Sequence, residues 1–138
     1  MRIDHVAYPC RDPQETHRFY SEILGLKLVQ AYAGKELILV YALPGGGSLV
    51  FNASREREFT DTGSISWQRH HVGLTLATRD EFDSWLRKLQ GAGVRHQLID
   101  DERTYFADPN GLVLELEVES AANVDPRAAE VLARWSQH

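Results

Sequence analysis

The chain has 138 residues, 43% of them hydrophobic and 25% charged, which is typical of one soluble globular domain. A net charge of −5, with no run of Lys or Arg, argues against a nucleic-acid groove or an anionic membrane surface as partner. The single cysteine, Cys10, excludes an intrachain disulfide, and the longest apolar stretch, residues 37–43, is far shorter than the ~20 residues of a membrane helix. The N-terminus lacks an export-signal pattern, so we expect a cytoplasmic protein.

Two stretches of the chain repeat one pattern. The segment DHVA, which contains His5, precedes a helix signal and then three strand signals. The segment HHVGL, which contains His71, precedes the same series, and the two histidines are 66 residues apart. The chain is therefore predicted to contain two tandem copies of a unit of about 50 residues.

Each unit carries helix-start signals. Asp12 can cap the first helix, with Pro13 at its first position and Glu15 completing a capping box, and Gly25 ends it. Thr78 starts the second helix in the same way. The apolar residues of that helix recur at i, i+3, i+4 and i+7, which indicates core packing: Phe82, Trp85, Leu86 and Leu89.

Strand signals follow each helix. They cover residues 27–31, 37–42 and 49–51 in the first half, and residues 94–98, 103–107 and 112–118 in the second. This order predicts an α+β fold in which two tandem βαβββ modules form a curved mixed sheet. The predicted parts are module one (1–52), a polar connector (53–68), module two (69–119) and a C-terminal helix (125–138).

The predicted C-terminal helix has one apolar stripe, formed by Ala128, Val131, Leu132 and Trp135. The stripe can pack on its own chain or on a partner subunit, and packing on its own chain is the preferred alternative.

Strand alternation places three side chains with metal-binding chemistry on the concave face of the predicted sheet. His5 and His71 occupy equivalent positions of the two repeats, and Glu115 lies opposite the apolar face of the last strand. A lone histidine on a strand is usually an ordinary core or surface residue. Two at equivalent positions, with a facing carboxylate, favour a divalent transition-metal site with open positions for water or substrate.

The sequence, with its repeat and these three residues, resembles the vicinal oxygen chelate superfamily, which includes glyoxalase I, extradiol dioxygenases, fosfomycin-modifying enzymes and bleomycin-binding proteins. The resemblance covers residues 1 to about 120 and rests on the motifs DHVAYPCRDPQETHRFYSEILGLKL, HHVGLTL and YFADPNGLVLE. It implies one divalent metal ion per site, Fe(II), Mn(II), Zn(II) or Ni(II), held by His5, His71 and Glu115. It also implies a small-molecule substrate that chelates the metal through vicinal oxygens, and a homodimer, because the family often pairs modules between chains.

The resemblance leaves the reaction open. Glyoxalase-type isomerases usually take a fourth protein ligand from the end of the first module, and residues 48–52 contain no carboxylate. Tyr105 matches a substrate-side tyrosine of extradiol dioxygenases and fosfomycin thiol-transferases, although an aromatic ring can also simply fill the cup. The acid–base histidine of extradiol dioxygenases has no evident match, and residues 100–102 are acidic where a fosfomycin enzyme would bind a phosphonate.

The function hypothesis is a metal-dependent enzyme in which Tyr105 is catalytic and no residue is yet assigned to substrate binding. Catechol-type ring opening is slightly favoured over thiol transfer or lyase chemistry. The alternative is a metal-free protein that sequesters a drug, as bleomycin-resistance proteins do. The presence of all three candidate ligands counts against that alternative.

Overall fold

The computed structural model of the chain describes residues 1–54, 65, 70–119 and 125–135, and the statements below concern these residues. The predicted connector, 53–68, therefore lies mostly outside the described residues, as do residues 136–138 of the predicted C-terminal helix.

The described chain contains two βαβββ units followed by a helix. The first unit comprises β1 (His5–Pro9), α1 (Pro13–His17) with a π-helical continuation (Arg18–Ile23), β2 (Lys27–Ala33), β3 (Leu37–Ala42) and β4 (Ser48–Ala53). The second comprises β5 (His71–Leu76), α2 (Arg79–Gly91), β6 (His96–Leu98), β7 (Arg103–Ala107) and β8 (Val113–Val118), and α3 (Ala128–Trp135) follows. The predicted α+β fold of two βαβββ modules is confirmed.

Each unit forms a four-stranded mixed sheet, in the orders β1-β4-β3-β2 and β5-β8-β7-β6. The first strand of each unit pairs in parallel with the last, and the remaining pairs are antiparallel. In the described part of the chain, β1 and β5 each pair with one neighbour only, so each is an edge strand.

The helix starts follow the predicted caps. The Asp12 carboxylate accepts hydrogen bonds from the backbone N–H groups of Gln14 and Glu15, at 2.8 and 3.2 Å, and the Thr78 hydroxyl accepts one from the N–H of Glu81. The reciprocal half of the first capping box is not formed. Glu15 pairs instead with the guanidinium of Arg11 at 3.3 Å, because that neighbour offers a charged donor at i−4.

The helical faces of the two sheets meet in one shared core. The rings of Phe19 in the first unit and Phe106 in the second lie 6.3 Å apart, and both belong to a single cluster of buried apolar residues. Packing along this core stabilises both units together.

A buried polar contact joins the units at the β7–β8 turn. The Tyr20 hydroxyl donates to Oδ2 of Asp108 at 2.7 Å, and the backbone N–H of Arg11 donates to Oδ1 of Asn110 at 2.8 Å. Asp108 also accepts from the side chain of Asn110 and from the N–H groups of Asn110 and Leu112. The first helix thereby holds the turn that leads into β8.

The C-terminal helix does not pack as preferred from the sequence. None of the residues of α3 is buried, and Val131 and Trp135 are 54% and 79% exposed. The stripe thus covers no part of the described core. Among the described helices, none is both long enough and apolar enough to span a membrane.

Candidate functional site

Glu115 is a buried carboxylate in the middle of β8. It lies opposite Gly73 of β5 and Tyr105 of β7, and only 8% of the residue is exposed. The predicted alternation of a buried and a solvent-exposed face is not seen in β8, because its first four residues, Val113 to Leu116, are all buried. A charged group in such a place requires partners, because burial removes its hydration.

Three side chains supply those partners. Nε2 of His71 lies 3.1 Å from Oε2 of Glu115, and Nε of Arg103 lies 3.2 Å from Oε1. Tyr105 faces Glu115 across β7 and β8, and the Tyr105 ring meets the His71 ring edge to face at 5.5 Å. Burial and the neighbouring Glu115 carboxylate raise the pKa of Tyr105, so its phenol remains a hydrogen-bond donor at neutral pH.

Arg103 is a member of the site that sequence reasoning missed. Its Nη2 lies 3.0 Å from Oε2 of Glu117, so the guanidinium bridges two carboxylates while its side chain stays 46% exposed. Partial burial opposes the charge, but Glu115 and Glu117 hold the pKa of Arg103 above its ordinary value. The available signal was strand parity: Arg103 lies two residues before Tyr105 on the same strand and faces Glu117.

His5 lies on the other sheet, at its edge. Its side chain is 54% exposed, and its Nδ1 lies 2.9 Å from Oδ2 of Asp4. The neighbouring turn fits closely, because a Cβ on Gly47 would come within 3.0 Å of the Asp4 carbonyl oxygen. Among the described residues of one chain, no three His, Cys, Asp or Glu side chains form a group that could hold a metal ion. The structure brings together His71, Glu115 and Tyr105, and leaves His5 apart.

The His71–Glu115 pair fits a metal ion nonetheless. Two adjacent ligands at ~2.1 Å from an ion, at a right angle, are separated by about 3.0 Å. The observed separation of Nε2 and Oε2 is 3.1 Å. One imidazole nitrogen and one carboxylate oxygen suit divalent iron, manganese, nickel or zinc. The pair supplies two donors, so a third is needed for the predicted set.

The end of β4 offers no fourth ligand beside His5. Asn52 donates from Nδ2 to Oε2 of Glu36 at 2.6 Å, which does bring a carboxylate to this strand. In the register of β1 and β4, however, His5 faces Ser48, and Asn52 faces Pro9, four residues further along. Four residues of strand span ~13 Å, so Glu36 lies far from the His5 ring.

Among the described residues, the other histidines and the cysteine have structural roles or lie at the surface. His17 contacts the Tyr41 hydroxyl, His96 contacts the backbone oxygen of Val94, and His70 is exposed. Burial raises the pKa of the Cys10 thiol, which disfavours the reactive thiolate.

An apolar groove of about 540 Å³ lies between the two units. It is lined by β5, α2 and the turn at 43–46, and it contains none of the candidate ligands and no titratable side chain. The chemistry of the described chain is therefore concentrated at Glu115 and its neighbours.

Comparison with known proteins gives the same picture of the fold. A domain from Frankia sp. EAN1pec, described as glyoxylase/bleomycin resistance protein/dioxygenase, superposes with a TM-score of 0.72 at 22% identity, covering 87% of this chain and 98% of that one. The fosfomycin resistance protein FosX of Listeria monocytogenes, complexed with Mn(II) and 1S,2S-dihydroxypropylphosphonic acid, superposes with a TM-score of 0.70 at 14% identity, covering 86% and 93%. The trypanothione-dependent glyoxalase I of Leishmania major gives 0.70 at 15% identity, covering 99% and 93%.

A search of curated protein sequences found no significant match. The family model of the Glyoxalase/Bleomycin resistance protein/Dioxygenase superfamily, in contrast, matches residues 2–116. That span includes the first βαβββ unit, most of the second and the residues His71, Arg103, Tyr105 and Glu115. The chain belongs to the Glyoxalase/Bleomycin resistance protein/Dioxygenase superfamily.

Proposed function

We propose that the protein is a metal-dependent enzyme whose centre forms between two copies of the chain. His71 and Glu115 come from one copy and His5 comes from the other. The observation that carries the proposal is the placement of Nε2 of His71 and Oε2 of Glu115, 3.1 Å apart, in the geometry of adjacent metal ligands. His5 is the repeat-equivalent of His71, is half-exposed, and has its Nδ1 fixed by Asp4, which leaves Nε2 available.

Three features support a homodimer. The edge strands β1 and β5 have one side without a strand partner in the described chain. His5 would need another chain to reach a second and third donor, given the absence of a complete group among the described residues of one chain. The exposed stripe of α3 offers apolar surface to bury.

The residues of the cluster have distinct roles. A divalent metal supplies Lewis acidity and a template for two vicinal oxygens of the substrate, and in an oxidative reaction also the place where dioxygen binds. His71 and Glu115 hold it through one nitrogen and one oxygen. Tyr105, kept protonated, donates a hydrogen bond to an oxyanion that develops on the substrate.

The proposed reaction is oxidative ring opening of a catechol-like compound by dioxygen. The turn before β7 supports this choice over addition of a thiol to a phosphonate. Its acidic side chains are exposed and already paired, Asp100 with the N–H of Glu102 and Asp101 with Arg79. This turn therefore supplies no cation for a phosphonate, and Arg103, which follows it, is already paired with Glu115 and Glu117. Fe(II)-loaded protein should consume dioxygen with catechols. If the Mn(II)-loaded protein turns over thiol–epoxide pairs and no catechol is consumed, the proposal of ring opening gives way to thiol transfer. If the protein binds a drug without any metal, both enzymatic proposals are rejected.

Replacing Glu115 with Gln is expected to weaken Mn(II) binding by at least about 100-fold. Mutation of a residue that only hydrogen-bonds to a metal ligand lowers metal affinity by up to about 100-fold, and loss of the ligand itself should lower it at least as much. The amide keeps the shape but removes the charge and one acceptor oxygen. Metal content after equilibration with a competing chelator measures the effect. Glu119→Gln, an exposed change at the end of the same strand, is the matched control and should bind like the wild type. Full occupancy in Glu115→Gln would refute the ligand assignment.

Replacing Tyr105 with Phe is expected to lower turnover by about ten-fold to a thousand-fold, because one transition-state hydrogen bond is lost. The free energy of unfolding should change by no more than roughly 1 kcal/mol, since the ring still fills the same space. The two measurements are kcat on the substrate found in the catechol screen and the denaturant midpoint. Normal turnover combined with a large loss of stability would make Tyr105 a packing residue only.

A further inference from the structure

Arg103 holds one oxygen of Glu115 and leaves the other beside His71. Nε of Arg103 is 3.2 Å from Oε1, whereas Nε2 of His71 is 3.1 Å from Oε2. We propose that Arg103 is a positioning residue that limits Glu115 to one ligand oxygen and thereby keeps coordination positions open for the two oxygens of the substrate. This inference rests on the proposed metal-dependent function and adds a determinant of substrate binding to it.

The need for such a residue follows from the chemistry of carboxylates. A carboxylate binds a metal through one oxygen or through both. A site with three protein donors keeps open positions for substrate, and a substrate that chelates through vicinal oxygens needs two of them. A second oxygen from Glu115 would take one of these positions. The Arg103 guanidinium beside Oε1 opposes this, because a metal ion bound to the same oxygen would lie close to a fixed positive charge.

The surroundings of Arg103 suit it to this task. Its planar guanidinium presents Nε to Glu115 and Nη2 to Glu117, at 3.2 and 3.0 Å, so it is held from two sides. Glu117 faces Arg103 directly across β7 and β8, and Glu115 faces Tyr105 one step further along the same pair of strands. The burial of Glu115 restricts rotation of its carboxylate. An ammonium group could supply the charge but not this two-point fork.

The test uses Mn(II) and 4-nitrocatechol, a chelating probe with a visible absorbance, on the full chain. Arg103→Met is expected to bind Mn(II) at least as tightly as the wild type, because a positive charge beside the site is removed. It should bind 4-nitrocatechol about 10- to 100-fold more weakly once loaded with Mn(II), the range for loss of a partner outside the ligand set. Its Mn(II) electron paramagnetic resonance spectrum should also differ, since Glu115 then supplies two oxygens. Arg79→Met, which removes an exposed arginine paired with Asp101, is the control and should match the wild type in all three measurements.

Arg103→Lys separates positioning from simple attraction between a cation and the catecholate. It keeps the charge but lacks the fork, so its affinity for 4-nitrocatechol should stay low. Restoration of wild-type affinity by lysine would overturn the proposal, as would wild-type affinity for 4-nitrocatechol in Arg103→Met. Loss of Mn(II) from a folded Arg103→Met would overturn it as well. If the wild type itself does not bind Mn(II), the proposed function and this inference both fail. If the wild type binds Mn(II) but the Arg103 variants do not behave as expected, only this inference fails.

Discussion

A heterodimer of one His5→Ala chain and one Glu115→Ala chain is expected to bind one metal ion, although each parent homodimer retains none against a competing chelator. If His5 of one chain completes the His71–Glu115 pair of the other, this heterodimer contains one intact site and one site that lacks both ligands. If all three ligands came from the same chain, both of its sites would be defective. The expected result therefore rests on the position of His5, which lies on a different sheet from the pair it would complete.

The experiment is a measurement of metal per dimer after refolding two differently tagged chains together. A heterodimer of His71→Ala and Glu115→Ala chains is the matched control. Both of its changes fall in the second βαβββ unit, so it contains no intact site under either arrangement and should bind none. Zero metal in the first heterodimer, or a monomeric mass for the wild type by light scattering at micromolar concentration, would contradict a centre shared between chains.

Removal of the Asp108 carboxylate is expected to be the most destabilising single change considered. Asp108→Ala removes the acceptor of the fully buried Tyr20 hydroxyl and of three further donor groups, one of which, Nδ2 of Asn110, still donates to the Thr16 hydroxyl. Each buried donor left without an acceptor costs roughly 1–3 kcal/mol in the free energy of unfolding, so losing several together is expected to cost at least about 3 kcal/mol. Asp108→Asn retains one acceptor oxygen and should fall between the alanine variant and the wild type.

The difference in the free energy of unfolding between wild type and Asp108→Ala is expected to depend on pH. Burial raises the pKa of Asp108 above its ordinary value of 3.8, and this outweighs the hydrogen bonds that lower it. The folded protein therefore takes up the proton before the unfolded chain does as the pH falls. As the pH falls from the raised pKa towards 3.8, the stability of the wild type should increase relative to that of Asp108→Ala. As the pH rises back through the raised pKa, this increase should disappear.

Urea denaturation of both proteins between neutral pH and pH 4 measures the effect. The control is Asp101→Ala, which removes an exposed carboxylate paired with Arg79 and should cost no more than about 1 kcal/mol. A difference between wild type and Asp108→Ala that narrows with falling pH would show that the four donors, and not burial, dominate the pKa of Asp108.

Local patterns predicted the parts of the molecule that depend on neighbouring residues. Strand alternation and the turn after Asp108 were enough to place Tyr105 opposite Glu115, and the caps at Asp12 and Thr78 were enough to start both helices. The π-helical continuation of α1 was not predictable in this way. Its i→i+5 hydrogen bond, from the N–H of Leu24 to the carbonyl of Phe19, has no marker in the apolar periodicity.

The parts of the site that depend on long-range packing could not be predicted. Parity puts His5 and His71 on corresponding faces of their own sheets, but it does not say where one sheet lies relative to the other. The role of Arg103 was missed for a different reason. Strand parity places Arg103 on the same face as Tyr105, but parity does not show whether its long side chain reaches the two carboxylates or points into solvent.

The edge strand β5 carries a consequence for handling the protein. Soluble proteins commonly guard a free strand edge with proline or charged side chains, because exposed backbone N–H and C=O groups can add strands from other molecules. The strand HVGLTL has neither a proline nor a side chain that is always charged, whereas β1 ends in Pro9. If the proposed dimer covers this edge, a chain prevented from dimerising would expose it and is expected to precipitate rather than persist as a monomer. In such a protein, colloidal stability and a complete metal centre would depend on the same encounter between chains.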